Sequence, residues 1–432
     1  MRQRARFQAG LLAVSVVIVL ARNGEAGDTR PVRPLAERIN SALVSAGKFL
    51  AAEQSPDGAW RSKVYGPFRD GPSLTPYVLT CVYLLPRGDT TAGALRHGHE
   101  YVSSLLDEHG RLREPLISPV YTAAPASWVA MFAGASPRDL RARDAWLRYL
   151  RGRQLDASLG WKESDAPFGG WGYSAAVPHK PAPGEPSPPL VESNLSATVY
   201  ALGALRCADV PPDDPAYRNV LAFVRRCQNF SDDPAARDAR FDDGGFFFIP
   251  GDAAKNKAGV AGVDRSGRTR FHSYGSMTAD GVRALLHAGL PPASPRVVAG
   301  RRWLEENFRA DTNPGVFEPD REVLRGATYY YYCWSVAHGF LHLGVREVRA
   351  AQGGREGEPV AWAEALAAEL LARQRPDGSW SNRFTDSRED DPLVATPAAA
   401  AALVICRRVI TGDVAAPAHH VSRPKSAETD NR

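Results

Sequence analysis

Apolar residues recur along this chain in helical stretches that come in pairs. The first pair covers residues 39–50 and 74–85, and between its members stands Gln54-Ser55-Pro56-Asp57-Gly58-Ala59-Trp60. Near the other end almost the same text, Gln374-Arg375-Pro376-Asp377-Gly378-Ser379-Trp380, lies between apolar stretches 360–371 and 395–405. The pattern predicts a repeated unit of helix, Gln, Asp-Gly turn, aromatic residue and second helix.

Four weaker copies fill the middle. Helices 97–106 and 120–132 flank His109-Gly110-Arg111-Leu112. Helix 142–154 leads to Phe168-Gly169-Gly170-Trp171-Gly172-Tyr173. Residues 178–189 follow, six of the twelve being Pro and therefore extended, and then helix 194–205. Helix 216–228 leads to the run Asp243-Gly244-Gly245-Phe246-Phe247-Phe248-Ile249. The run Thr269-Arg270-Phe271-His272-Ser273-Tyr274 reads as its hairpin partner across a basic loop with Lys255, Lys257, Arg265 and Arg268. Helix 276–287 comes next, with Ser276 as its N-cap. The fifth pair is 297–308 and 329–343, joined by a turn at Pro314-Gly315-Val316-Phe317.

Six pairs result, and Gln54, Gln154, Gln228 and Gln374 each close the first helix of a pair. The second helices are the more apolar, and 395–405 carries no charge at all. A helix apolar all round is buried. The expected fold is an all-α, closed α/α toroid of six helix hairpins, second helices inside and first helices outside, with small β-hairpin insertions in the links.

Composition narrows the setting. The 432 residues are 44% hydrophobic, enough for a large core. Of the net charge of +5, +3 falls in the first thirty residues, so the remainder carries no nucleic-acid footprint. Arg2, Arg4 and Arg6 precede an uncharged apolar run at 9–21, the layout of a secretory signal. Residues 1–26 are read as that signal, cleaved after Ala21 or Ala26; an uncleaved anchor is the alternative. The toroid, residues 35–408, is then secreted or periplasmic and meets a membrane only through the signal or by surface association. Residues 415–432 read as a disordered tail. The five Cys form no close pair and read as buried apolar residues.

The Gln…Gly-x-Trp text after an apolar helix resembles the repeat of squalene–hopene and oxidosqualene cyclases, whose ring of hairpins is shared with protein prenyltransferase beta subunits. The resemblance covers residues 35–408. It implies that Gln54, Trp60, Gln154, Trp171, Gln228, Gln374 and Trp380 are structural braces, the indole packing on the Gln and tying one hairpin to the next. It also implies a central cavity ringed by the N-termini of the inner helices. Its candidate lining residues are Tyr77, Tyr121, Asn194, Met277, Thr278, Tyr330, Tyr331, Trp334 and Thr396.

The acid motif of such cyclases, Asp-x-Asp-Asp, is absent. Asp280 is the candidate proton donor at an inner-helix start, or else a first-turn carboxylate that complements the helix dipole. The cluster Asp386, Glu389, Asp390, Asp391 reads as a solvated loop. Cys333 and His338 do not share a helix face. His338 and His342 do, but no carboxylate joins them there, so no metal site is expected. No P-loop or dinucleotide fingerprint calls for a cofactor. The run Tyr329-Tyr330-Tyr331-Tyr332-Cys333-Trp334 either fills the ring or faces a ligand. The functional expectation is an exported squalene-cyclase-like repeat protein that binds or transforms an isoprenoid or other apolar ligand. The alternative is a non-catalytic scaffold of the cell envelope that binds a protein or glycan partner.

Overall fold

The computed structural model describes residues 33–134, 136–349 and 358–413. The signal segment and the tail read from the sequence lie outside those residues. All the described helices belong to the unit Leu35–Arg432. In chain order they are α1 (Leu35–Ala52), α2 (Thr75–Leu84), α3 (Asp89–Ser104), α4 (Pro119–Phe132), α5 (Pro137–Arg151), α6 (Leu195–Cys207) and α7 (Pro215–Arg226). There follow α8 (Gly275–His287), α9 (Pro295–Asn307), the short α10 (Glu322–Ala327), α11 (Tyr329–Leu343), α12 (Trp362–Arg373) and α13 (Pro392–Thr411).

Local sequence sets the helix starts. Pro stands in the first turn of α2, α4, α5, α7, α9 and α13, where its missing N–H costs nothing. Side chains of Ser136, Asn194, Asp214 and Asp391 cap α5, α6, α7 and α13.

The inner helices pack in sequence, α2 on α4, then α6, α8, α11 and α13, and α13 packs back on α2. The ring is therefore closed. In the outer layer, α1 packs on both α3 and α12. α13 is apolar and long enough to cross a membrane by composition, yet 72% of its apolar window is buried within the ring.

The repeat text does three jobs at each link. First, each Gln amide spans two hairpins. Gln54 Nε2 donates to Gly58 O of its own turn at 2.9 Å and to Ala94 O of α3 at 3.0 Å. Gln154 does the same to Gly169 O at 2.8 Å and Ala216 O of α7 at 3.0 Å. Gln228 reaches Gly244 O and Arg296 O of α9. Gln374 reaches Gly378 O and Ala42 O of α1, both at 2.9 Å, and so joins the last hairpin to the first. Second, the turn aromatic works within its own hairpin. The indoles of Trp60, Trp171 and Trp380 donate to Leu50 O, Leu150 O and Leu370 O near the ends of their outer helices. The tie between hairpins is thus the amide, with the indole capping its own helix. Third, the backbone N–H of Trp60, Trp171, Phe246 and Trp380 donates to Thr75, Thr198, Thr278 and Thr396, each at the start of an inner helix. Glycine is required in the turn: Gly169 has φ +97°, and a Cβ there would sit 1.9 Å from Asn219 O of α7.

Three expectations need correction. The run 243–249 is not a hairpin strand, because its backbone is taken up by Cys227 and Asn229 at the end of α7. The strand that pairs with β4 (Thr269–Phe271) is β3 (Val260–Val263); β1 (Trp171–Gly172) with β2 (Ser193–Asn194) and β5 (Glu347–Val348) with β6 (Val360–Ala361) are the other antiparallel pairs. Ser276 does not cap α8: the cap position is Tyr274, and the Ser276 N–H donates to the buried side chain of Asn313. The acidic cluster is not a solvated loop. Glu389 is 3% exposed, Asp391 caps α13, and Asp390 accepts the hydroxyl of Tyr65 at 2.5 Å.

Candidate functional site

The first turns of all six inner helices converge on one cavity of about 580 Å³. That is the size range of small-molecule sites. Tyr77 comes from α2, Tyr121 from α4, Ser196 and Tyr200 from α6, Ser276 and Met277 from α8, Tyr331 from α11, and Val394 and Ala398 from α13. The links add Tyr173, Phe248, Tyr274 and Lys257, together with Arg388 and Glu389.

Of the residues proposed from sequence, Tyr77, Tyr121, Met277 and Tyr331 line this cavity. The others do different work. The Asn194 carboxamide oxygen accepts from Ala197 N at 2.9 Å and so starts α6. Thr278 and Thr396 hold the turn aromatics. Tyr330 points its hydroxyl at Ser381 O, toward the last hairpin. Trp334 lies one layer down, its ring 5.6 Å from Tyr331 and 5.2 Å from Tyr200 by centroids, with the Arg283 guanidinium 4.3 Å above it. Below it His338, His342 and His287 follow in ring contact, His338 edge-on to Trp334 and His287 edge-on to His342.

Asp280 is fully buried and does not touch the cavity. It is one hydrogen bond behind it. Tyr331 donates to Asp280 Oδ2 at 2.6 Å, Ser335 donates to Oδ1, and Arg283 pairs with Oδ1 at 3.2 Å. Because the Tyr331 hydroxyl is spent on the carboxylate, it accepts from Ser196 at 2.9 Å. Ser196 in turn accepts from Tyr121 at 2.5 Å, and Tyr121 from Tyr173 at 3.3 Å. Every hydroxyl proton in this chain therefore points toward Asp280 when it is ionised, and a proton on Oδ2 allows the direction to reverse. Burial pushes the Asp280 carboxyl up to about 6 despite Arg283 and the hydroxyl donors.

A second carboxyl was missed by reading the sequence. Glu389 Oε2 accepts from Tyr330 N at 2.9 Å and Oε1 from Tyr331 N at 2.8 Å, so it caps the N-terminus of α11. The Asn382 side chain adds a third N–H. Burial still outweighs these donors and pushes Glu389 up to about 7. Tyr331 thus has its backbone fixed by one buried carboxyl and its hydroxyl by another. Tyr173, Tyr200, Phe248 and Tyr274 were also missed. The signal for Tyr200 was its place one turn after Ser196 on an inner helix; nothing local marks the others.

Among the described residues no group of three or more His, Cys, Asp or Glu is placed to hold a metal.

No protein-family profile matches the chain, and no curated protein matches it by sequence. Solved structures do resemble it. One is cellobiose 2-epimerase from Spirochaeta thermophila, at 12% identity and TM-score 0.55, covering 89% of this chain and 100% of that one. A second is the unsaturated glucuronyl hydrolase specific for heparin, at 12% identity and TM-score 0.52, covering 87% and 98%. A third is a variant of the type II terpene cyclase MstE from Scytonema, in complex with its substrate geranylgeranyl dihydroxybenzoate. That match has 14% identity and TM-score 0.51, covering 87% and 99%. At such identities the likeness concerns the fold alone: the chain is an α/α toroid, the fold it shares with these proteins, a terpene cyclase among them.

Proposed function

We propose that this protein takes an isoprenoid or similarly elongated apolar molecule into the cavity at the inner-helix N-termini, and that Asp280 acts on it through Tyr331. The observation that carries this reading is the wall itself: tyrosine rings from four of the six inner helices, two of which, Tyr331 and Tyr121, are joined through Ser196 to one buried carboxyl. Aromatic faces suit an unsaturated hydrocarbon and stabilise positive charge developing on it. The hydroxyl chain supplies a proton path: Tyr331 gives its proton to the ligand and takes another from protonated Asp280. Asp280 in this role replaces the missing acid motif in function, without touching the ligand. The neighbouring terpene cyclase, solved with a geranylgeranyl substrate, supports an isoprenoid, as do the many aromatic and aliphatic side chains of the lining. The N-terminal sequence supports export, which places the ligand in the envelope or outside the cell.

The test is native mass spectrometry of the protein purified from its own source, with organic extraction of what it carries. The expected result is a stoichiometric isoprenoid or lipid that is lost from Tyr331→Ala. An empty ring that co-purifies with a protein or glycan would overturn the proposal and leave the scaffold reading.

A further inference from the structure

Among the described residues the buried arginines have partners: Arg270 pairs with Asp242, Arg283 with Asp280 and Arg296 with Asp232, and Arg153 donates to the carbonyls of Ser174, Ala175 and Ala176. Two cations in the cavity wall do not follow that rule. Lys257 is half-buried, with its ammonium 5.8 Å above the Phe248 ring, and among the described residues no hydrogen bond or ion pair reaches it. Arg388 is also half-buried and lies over Phe68 at 4.7 Å and Tyr65 at 5.6 Å, again with no carboxylate paired to its guanidinium among the described residues. Desolvating a cation without a partner is costly, and a fold keeps such an arrangement where a ligand completes it.

Two independent observations point the same way. Arg388 has φ +62°, a left-handed conformation that a non-glycine residue adopts at a cost, and it puts this side chain in the cavity wall. Tyr274 lines the cavity too; it is 1% exposed, and its hydroxyl has no partner among the described residues. An unpartnered buried donor is uncommon in a folded protein and marks a place for a polar ligand atom. Glu389 and Asp386 attract the Lys257 ammonium through space, but among the described residues neither forms an ion pair with Lys257 or Arg388. Glu389 is already engaged by three N–H donors, and Asp386 is exposed to solvent.

We propose that the cavity's ligand is amphipathic, with an anionic head (carboxylate or phosphate) held by Lys257 and Arg388 and its apolar chain among Tyr121, Tyr200 and Tyr331. This rests on the apolar-ligand reading above and adds the class of head group. An ammonium and a guanidinium together satisfy two or more anionic oxygens, and the aromatic rings beneath them keep both cations oriented.

The experiment is calorimetric titration of the full-length protein with three ligands that share one chain: farnesol, farnesoic acid and farnesyl phosphate. At least one of the two anions is expected to bind about tenfold or more tightly than farnesol. A gain for only one of them identifies the head as carboxylate or phosphate. Lys257→Met and Arg388→Gln are each expected to cut the anion's affinity about tenfold and farnesol's by much less, and the urea midpoint of each variant reports that it is folded. Equal binding of all three ligands, or anion binding indifferent to both substitutions, overturns the head-group inference and leaves the apolar cavity standing. Failure of all three to bind overturns the cavity reading itself.

Discussion

Replacing Gln154 by Leu keeps most of the side-chain volume and deletes two hydrogen bonds, to Gly169 O at 2.8 Å and Ala216 O at 3.0 Å. Gln54 makes the same pair of bonds, to Gly58 O at 2.9 Å and Ala94 O at 3.0 Å. The two sites differ in access to water: Gln154 is 3% exposed, whereas Gln54 is half-buried. A lost hydrogen bond costs about 1 kcal/mol net when water replaces it, and about 1–3 kcal/mol more when a buried polar group is stranded. Gln154→Leu should therefore destabilise the ring by about 3–4 kcal/mol. At Gln54 water reaches the carbonyls and Leu gains apolar burial, so the cost should be about 1 kcal/mol. Urea unfolding of both variants beside wild type gives the two costs from midpoint and slope. Equal losses, or a loss below about 1 kcal/mol at Gln154, would refute the claim that these amides hold the hairpins together.

Other consequences follow from the same geometry. Gly169→Ala should cost more than about 3 kcal/mol, since the added Cβ meets Asn219 O and φ is positive; failure to recover folded protein, or a large drop in urea midpoint, is the expected reading. Thr198→Val strands the Trp171 N–H and should cost about 1–2 kcal/mol, whereas Thr122→Val should be neutral or stabilising, because the Thr122 hydroxyl is buried with no partner among the described residues. Glu389 has a folded value of about 7 against an ordinary 4.5, so the folded chain keeps a proton that the unfolded chain has lost. Its contribution to stability is present at low pH and is lost as pH rises through 7. Relative to Glu389→Gln, whose offset is constant with pH, wild type should lose roughly 2–3 kcal/mol between pH 5 and pH 8. A flat difference across that range would contradict the burial assigned to Glu389.

Much of the ring was legible because its links rely on local chemistry. An Asp-Gly turn, a Gln before it and an aromatic after it leave a readable text, and each of those residues bonds within or next to its own hairpin. The charge-free helix 395–405 announced its burial by composition. The site was less legible because it is made of first turns from six distant segments. Whether a residue in such a turn faces the bore or holds a link is set by helix rotation. Thr278 and Thr396 were read as lining and turned out to anchor turns, while Ser196 and Tyr200 face inward. Glu389 shows the limit best. In sequence it sits among Arg388, Asp390 and Asp391, a run that looks solvated. Only the docking of α11 against that loop turns it into a buried cap. The hairpin at 243–249 failed for a related reason: the end of α7 competes for the same backbone groups.

The account's central claim is that an apolar ligand occupies the tyrosine-lined cavity, and photo-crosslinking tests it most directly. A farnesyl analogue carrying a diazirine on its tail is irradiated with the full-length protein, with and without excess farnesol, and the labelled peptides are sequenced. The account predicts saturable labelling of α4, α6 and α11 around Tyr121, Tyr200 and Tyr331, suppressed by farnesol. Labelling confined to exposed apolar residues such as Val64, Val263 and Val316, or indifferent to competitor, would contradict it.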